Sequence, residues 1–62
     1  MVIDKQKYDL MLAKKCIETK DVMEKSGLHP DTVSGAARGV NVRPITIGII
    51  AQTIGCEVED IV

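Results

Sequence analysis

The sequence is almost without aromatic residues: among its 62 residues there is one tyrosine, Tyr8, and no tryptophan or phenylalanine. Any core must therefore consist of aliphatic side chains, mainly Val and Ile, around that single large ring. A chain of this length buries only about 60 % of its unfolded surface, which makes its stability marginal. It has room for one domain, residues 1–62, but hardly for a β-sandwich or a catalytic cleft. We expect a compact helical domain.

The sequence also lacks the patterns that mark secreted, metal-binding and membrane proteins. Cys16 and Cys56 stand far apart in the chain, with no CxxC motif and no secretory signal. A disulfide is the alternative, but the pattern favours two reduced, half-buried thiols in a cytoplasmic protein. No apolar stretch approaches the roughly 20 residues that span a bilayer, so we expect a soluble protein. No residue pattern indicates a metal ion, a cofactor or a small-molecule substrate.

Basic residues are absent from the last third of the chain. All eight Lys and Arg lie in residues 1–43, which hold six acids and carry a net charge of +2. Residues 44–62 hold three acids and no base, for a net charge of −3. This split can orient a domain on a polyanion, although ordinary solvated surface explains it equally well.

Apolar residues at helical spacing, together with start and stop residues, predict three helices in the first two thirds of the chain. The starts are marked by Asp4, by Glu18 or Thr19, and by the signal His29-Pro30-Asp31. The first helix covers residues 4–15, and glycines 27 and 39 end the other two. The inner faces hold Tyr8, Met11, Leu12 and Cys16; then Val22, Met23 and Ser26; then Val33, Ala36 and Ala37.

Residues 40–50 are ambiguous, because their β-branched side chains favour a strand. A single strand has no partner in so short a chain, and Gly48 counts against a helix by only roughly 1 kcal/mol. We therefore predict a fourth helix capped by Thr46 and ended by Gly55. Its inner face holds Ile47, Ile50, Ala51 and Ile54. A short fifth helix follows, with Val58, Ile61 and Val62 as its apolar face.

The segment TKDVMEKSGLHPDTVSGAARG resembles the helix-turn-helix of the XRE family, the Cro and phage-repressor type. The family pattern of small, capping, apolar and closing residues falls on Val22-Met23, Ser26-Gly27-Leu28, His29, Thr32-Val33-Ser34 and Gly39. The segment RPITIGIIAQTIGCEVEDIV is similar to the fourth and fifth helices of the same family. The resemblance covers about residues 8–62 without a gap.

This resemblance implies a five-helix, lambda-repressor-like domain that binds operator DNA as a transcriptional regulator, commonly a repressor. Its second and third helices form the helix-turn-helix, and the third, about residues 30–38, enters a major groove roughly 12 Å wide. The family also implies a homodimer. The apolar residues near the end of the chain are the expected dimer surface: Ile54, Val58, Ile61 and Val62.

The resemblance further implies a DNA-binding set made of Thr19, Lys20, His29, Pro30, Asp31, Thr32, Ser34, Gly35, Arg38, Asn41 and Arg43. Thr19, Lys20, His29, Arg38 and Arg43 are expected at phosphates, and Asn41 assists them. His29 has an alternative role as a helix cap alone.

The positions that face the bases in the family hold Pro30, Asp31, Ser34 and Gly35. None of these side chains offers the bidentate contact to a base that is worth ~1–3 kcal/mol of discrimination. This poor reading face, with the near-neutral charge, leaves a second hypothesis open: a protein-interaction module on the same fold. An enzyme is not expected, because Ser34, His29 and Asp31 crowd one helix start without a pocket.

Overall fold

Four α-helices and one 3-10 turn make up the regular structure in the computed structural model, which describes all 62 residues and contains no strand. Helix α1 spans Lys5–Lys15, α2 spans Thr19–Ser26, α3 spans Pro30–Ala37 and α4 spans Pro44–Ile54. The all-α class is thereby confirmed. The predicted fifth helix is only the 3-10 turn Val58–Asp60. None of the helices combines the length and apolar character needed to cross a membrane.

The ambiguous segment is helical from Pro44 onward. It forms the first part of α4, the helix at the centre of the packing. Ile47 and Ile50 are completely buried, and α4 packs against α1, α2 and the 3-10 turn. Its start differs from the prediction: Arg43 is the N-cap and Pro44 the first helical residue. Thr46 is buried in the first turn and is not the cap, because proline at the first helical position sets the start earlier.

Both ends of the chain contribute side chains to the core. The Asp4 N–H donates to the Ile61 carbonyl at 2.8 Å, and the Val42 N–H donates to the Met1 carbonyl at 2.9 Å. These bonds hold Ile3 and Ile61 in the interior, where Ile54 is also buried. The expected dimer surface is therefore wrong for Ile54 and Ile61, because the monomer itself covers these side chains.

Helix α1 ends at Lys15, as predicted, although no glycine follows it. Cys16 takes the left-handed conformation (φ 56°) that glycine usually supplies, and its side chain is exposed. It is thus not on the inner face as predicted. Both thiols are free, and only Cys56 is half-buried as expected.

The α2–α3 connection depends on a glycine in the left-handed region. Gly27 has φ +75°, and a Cβ built there meets nothing within 4 Å. A side chain at this position is therefore opposed by backbone strain alone. Gly48, in the interior of α4, also faces open space, but its φ is not in the left-handed region.

The two glycines predict opposite effects of the same substitution. Gly27→Ala should lower the free energy of unfolding by about 1 kcal/mol, because L-residues resist positive φ. Gly48→Ala should raise it by up to about 1 kcal/mol, because alanine is the better helix former. Urea unfolding followed by circular dichroism measures both, and equal effects would contradict the assignment.

Candidate nucleic-acid interface

Helices α2 and α3 pack directly on each other across the three residues 27–29. Val22 of α2 and Val33 of α3 are completely buried at this junction, and Leu28 packs partly against the core. The Leu28 N–H donates to the Ser26 hydroxyl at 3.2 Å, which stabilises the connection. The outward side of α3 begins with Pro30 and Asp31, both exposed.

His29 is both a helix cap and an outward-facing side chain. Its Nδ1 accepts the Asp31 N–H at 3.1 Å, which confirms the capping role. An imidazole that accepts at Nδ1 carries its proton on Nε2. The side chain is 71 % exposed, so this Nε2–H is available to an acceptor outside the protein.

Arg38 lies back along α3 instead of extending away from its end. Its Nη1 donates to the Ser34 hydroxyl at 2.9 Å, one helical turn earlier. The guanidinium is exposed and sits on the same face as Asp31 and Ser34. The outward face of α3 therefore carries a strong donor that the sequence placed only at the helix end. The i, i+4 spacing of Ser34 and Arg38 is the signal that could have revealed it.

Gly35 does not belong to this outward face, although the sequence placed it among the base-facing positions. It is buried, and a Cβ built there would lie 3.8 Å from the Cβ of Val40. The cause is the way in which α3 ends. Gly39 has φ +90° and its N–H donates to the Ala36 carbonyl, while the Val40 N–H donates to the Gly35 carbonyl at 3.0 Å. This Schellman arrangement folds Val40 over Gly35.

The remaining predicted contacts lie around the ends of α2, α3 and α4. Lys20 and Arg43 are exposed and donate no hydrogen bond within the protein, so their charges are free. Thr32 is half-buried. The Asn41 side chain is exposed, but its Oδ1 accepts a hydrogen bond from the Met1 nitrogen. This contact occupies one of its two polar atoms.

Thr19, the first residue of α2, is tied to the core by its hydroxyl. Its Oγ1 lies 3.0 Å from the Tyr8 hydroxyl, and Tyr8 is 1 % exposed. Burial raises the pKa of Tyr8 above its ordinary value, and the negative charge of Asp9 acts in the same direction. Once Tyr8 is ionised, the Thr19 hydroxyl can donate to it, which lowers that pKa but does not cancel the effect of burial.

The charged groups are distributed unevenly around the fold. The 3-10 turn, with Glu59 and Asp60, packs on α4 and α1, whereas α3 packs chiefly on α2. On α1, Lys5 pairs with Asp9 at 2.9 Å and the Lys7 ammonium donates to the Val62 carbonyl. The acidic end of the chain is thus packed on α1 and α4.

Two other kinds of site receive little support from the geometry. The Ser34 hydroxyl is paired with Arg38 and makes no hydrogen bond with His29, and His29 Nδ1 lies 3.9 Å from the Asp31 carboxylate. These residues therefore do not form a nucleophile–base pair. No group of three or more His, Cys, Asp and Glu side chains lies together as metal ligands do.

One open groove lies on the outer face of α4, with a volume of about 580 Å³. Ile45, at its edge, is 65 % exposed. The lining residues are Ile45, Gly48, Ile49, Ala51, Gln52, Cys56 and Glu57. Four of these seven residues are hydrophobic and none is basic, so the groove is unlike a phosphate-binding surface.

Tyr8 gives the fold a measurable dependence on alkaline pH. Its folded-state pKa is raised, so the unfolded chain loses the phenolic proton first, near the ordinary pKa of about 10. The contribution to stability is complete below that pH and is lost as the pH rises through the folded-state pKa. Tyr8 is the sole tyrosine, so tyrosinate absorbance reports it alone. Tyr8→Phe should remove this part of the decline in unfolding free energy at alkaline pH. An unchanged decline in the variant would contradict the assignment.

Comparison with known proteins identified no relative of this chain. No protein-family model matches the sequence, and no significant match was found among curated proteins or solved structures. The functional conclusion therefore rests on the residues and on the geometry described above.

Proposed function

We propose that the chain is a sequence-specific, DNA-binding transcriptional regulator of the XRE type, a cytoplasmic repressor without enzymatic activity or cofactor. In this proposal α2, the turn at Gly27 and α3 act as a helix-turn-helix, and α3 lies in the major groove of an operator. The resemblance of residues 8–62 to the family first suggests it. The all-helical fold and the direct packing of α2 on α3 support it.

The Arg38–Ser34 bond is the observation that carries the proposal. It holds a guanidinium on the exposed face of α3, where the sequence alone offered only short side chains. With Nη1 on Ser34, the other nitrogens remain available to base edges, and Arg–guanine is the commonest specific contact in the major groove. Asp31, on the same face, can accept from cytosine N4. We assign base reading chiefly to Arg38.

Phosphate contacts are assigned to donors that surround this face and are free of protein acceptors. These are the Nε2–H of His29, the ammonium of Lys20 and the guanidinium of Arg43. Contacts of this kind position a protein on the duplex without reading its sequence. The acidic 3-10 turn packs on α1 and α4, whereas α3 packs chiefly on α2.

A homodimer is part of the proposal. The longest dimension of the chain is 24 Å, and half-sites of helix-turn-helix operators lie about 34 Å apart, so one copy cannot occupy both. With Ile54 and Ile61 buried, the exposed apolar side chain of Ile45 is the better candidate for contact between copies. Light scattering on the complex with a selected duplex measures the number of copies, and one copy per palindromic site would contradict this part.

The first test of DNA binding selects duplexes from a random-sequence pool and measures affinity by fluorescence anisotropy at several salt concentrations. If two copies each contribute Lys20 and Arg43, log K should fall with log salt with a slope of about −4, because each phosphate neutralised releases counterions. A scrambled duplex is the control for specificity. No binding to any duplex at low salt would refute the proposal.

Substitutions should separate base reading from phosphate contact. Arg38→Ala should weaken binding at least about tenfold per half-site and relax base preference, since it removes the reading group. Arg43→Ala should weaken binding to all duplexes alike and reduce the salt slope by about 1 per copy. Ser34→Ala should cost only about two- to threefold, because it frees Arg38 without removing it. A larger loss for Ser34→Ala than for Arg38→Ala would contradict the assignment.

The groove on α4 favours a second candidate function, a module that binds another regulator. Exposed Ile45 and the half-buried Ile49 offer apolar surface, and the chain carries a net charge of only −1. Light scattering and pull-down with a candidate regulator distinguish the two functions. A stable hetero-complex that Ile45→Glu abolishes, from a chain without DNA affinity, would favour the second.

A further inference from the structure

The Tyr8 hydroxyl is a buried polar group with a single partner. It lies in an aliphatic core, and Thr19 Oγ1, at 3.0 Å, is its one hydrogen-bond partner. If Thr19 donated to Tyr8, the phenolic proton would be buried without an acceptor, at a cost of about 1–3 kcal/mol. The arrangement in which Tyr8 donates and Thr19 accepts leaves no buried group unpaired. The geometry therefore favours Tyr8 as the donor.

The direction of this bond determines what Thr19 can do. Its hydroxyl accepts from Tyr8 with one lone pair and keeps its own proton. That proton has no acceptor within the protein, since the Tyr8 contact is the only hydrogen bond of this hydroxyl. Thr19 is partly exposed, so this proton can reach an acceptor at the surface at the start of α2, where the next residue, Lys20, is also exposed.

The two neighbouring acids do not satisfy this proton. The Asp21 carboxylate turns back and accepts the Glu18 N–H at 2.9 Å. The Glu18 side chain is exposed and faces the Asp21 backbone in a capping box, and it makes no hydrogen bond with the Thr19 hydroxyl. Thr19 thus presents a donor without a partner, and its orientation is set from the interior and not by its surface neighbours.

We propose that Tyr8 is a positioning residue for DNA: it fixes the Thr19 hydroxyl so that its proton points at a backbone phosphate oxygen. This inference rests on the proposed DNA-binding function and adds a buried residue to it. Tyr8 itself does not touch the DNA. A donor oriented in advance loses less rotational freedom on binding than a free hydroxyl does.

A double-mutant cycle on Tyr8 and Thr19 tests the proposal. Thr19→Val removes the hydroxyl but keeps the shape, and should weaken binding to the selected duplex about tenfold. Tyr8→Phe keeps the ring and should weaken it about threefold, and in the Thr19→Val background it should cause no further loss. Thr19→Ser retains the hydroxyl and should bind like the wild type. Equal losses from Tyr8→Phe in both backgrounds would mean a structural role and overturn the proposal.

Salt dependence supplies a matched control. Thr19→Val and Tyr8→Phe remove no charge, so their salt slopes should equal that of the wild type. Lys20→Ala should reduce the slope by about 1 per copy.

If Tyr8→Phe does not fold, the comparison of Thr19→Val with Thr19→Ser decides, and equal affinities would overturn the proposal. A wild-type chain that binds no duplex refutes the proposed function as well, whereas wild-type binding that both hydroxyl deletions leave unchanged refutes this inference alone.

Discussion

Burial of the α4 isoleucines is the constraint on which the rest of the structure depends. With no tryptophan or phenylalanine, the interior must be filled by branched aliphatic side chains, and α4 supplies Ile47, Ile50 and Ile54. β-branched residues are mediocre helix formers, so tertiary packing and not propensity holds this segment helical. Since α4 contacts α1, α2 and the 3-10 turn, the position of each of them follows from its burial.

The sequence predicted the fold well where short-range signals agree. Asp4, Gly27, His29-Pro30 and Gly55 mark helix ends at or next to the places where the structure has them. It failed where a residue takes an unusual backbone conformation or where its burial depends on distant contacts. Cys16 closes α1 in a conformation that glycine normally takes. The burial of Ile3 and Ile61 depends on hydrogen bonds between segments far apart in the chain, which periodicity cannot reveal.

The candidate site was predicted as a set of positions but not as an arrangement. Ser34 and Arg38 were expected to act separately, as a short base-facing side chain and a phosphate contact. Their hydrogen bond depends on a rotamer of Arg38 that sequence reasoning does not supply. Gly35 was placed outward by the resemblance to the family, but the glycine-terminated end of α3 brings Val40 over it. Side-chain direction near a helix end depends on how the chain leaves it.

The bonds that join Asp4 to Ile61 and Val42 to Met1 also have a kinetic meaning. They close loops of many residues, whereas α2 and α3 pack on each other across a connection of only three residues. Loop closure costs entropy that local contacts do not, so the local helices can form before the ends dock. The docked ends are then the first part to open, and hydrogen exchange at their amides should report this sub-global unfolding. We therefore expect the α2–α3 pair to form early in folding, and the hydrogen bonds at the two chain ends to form last.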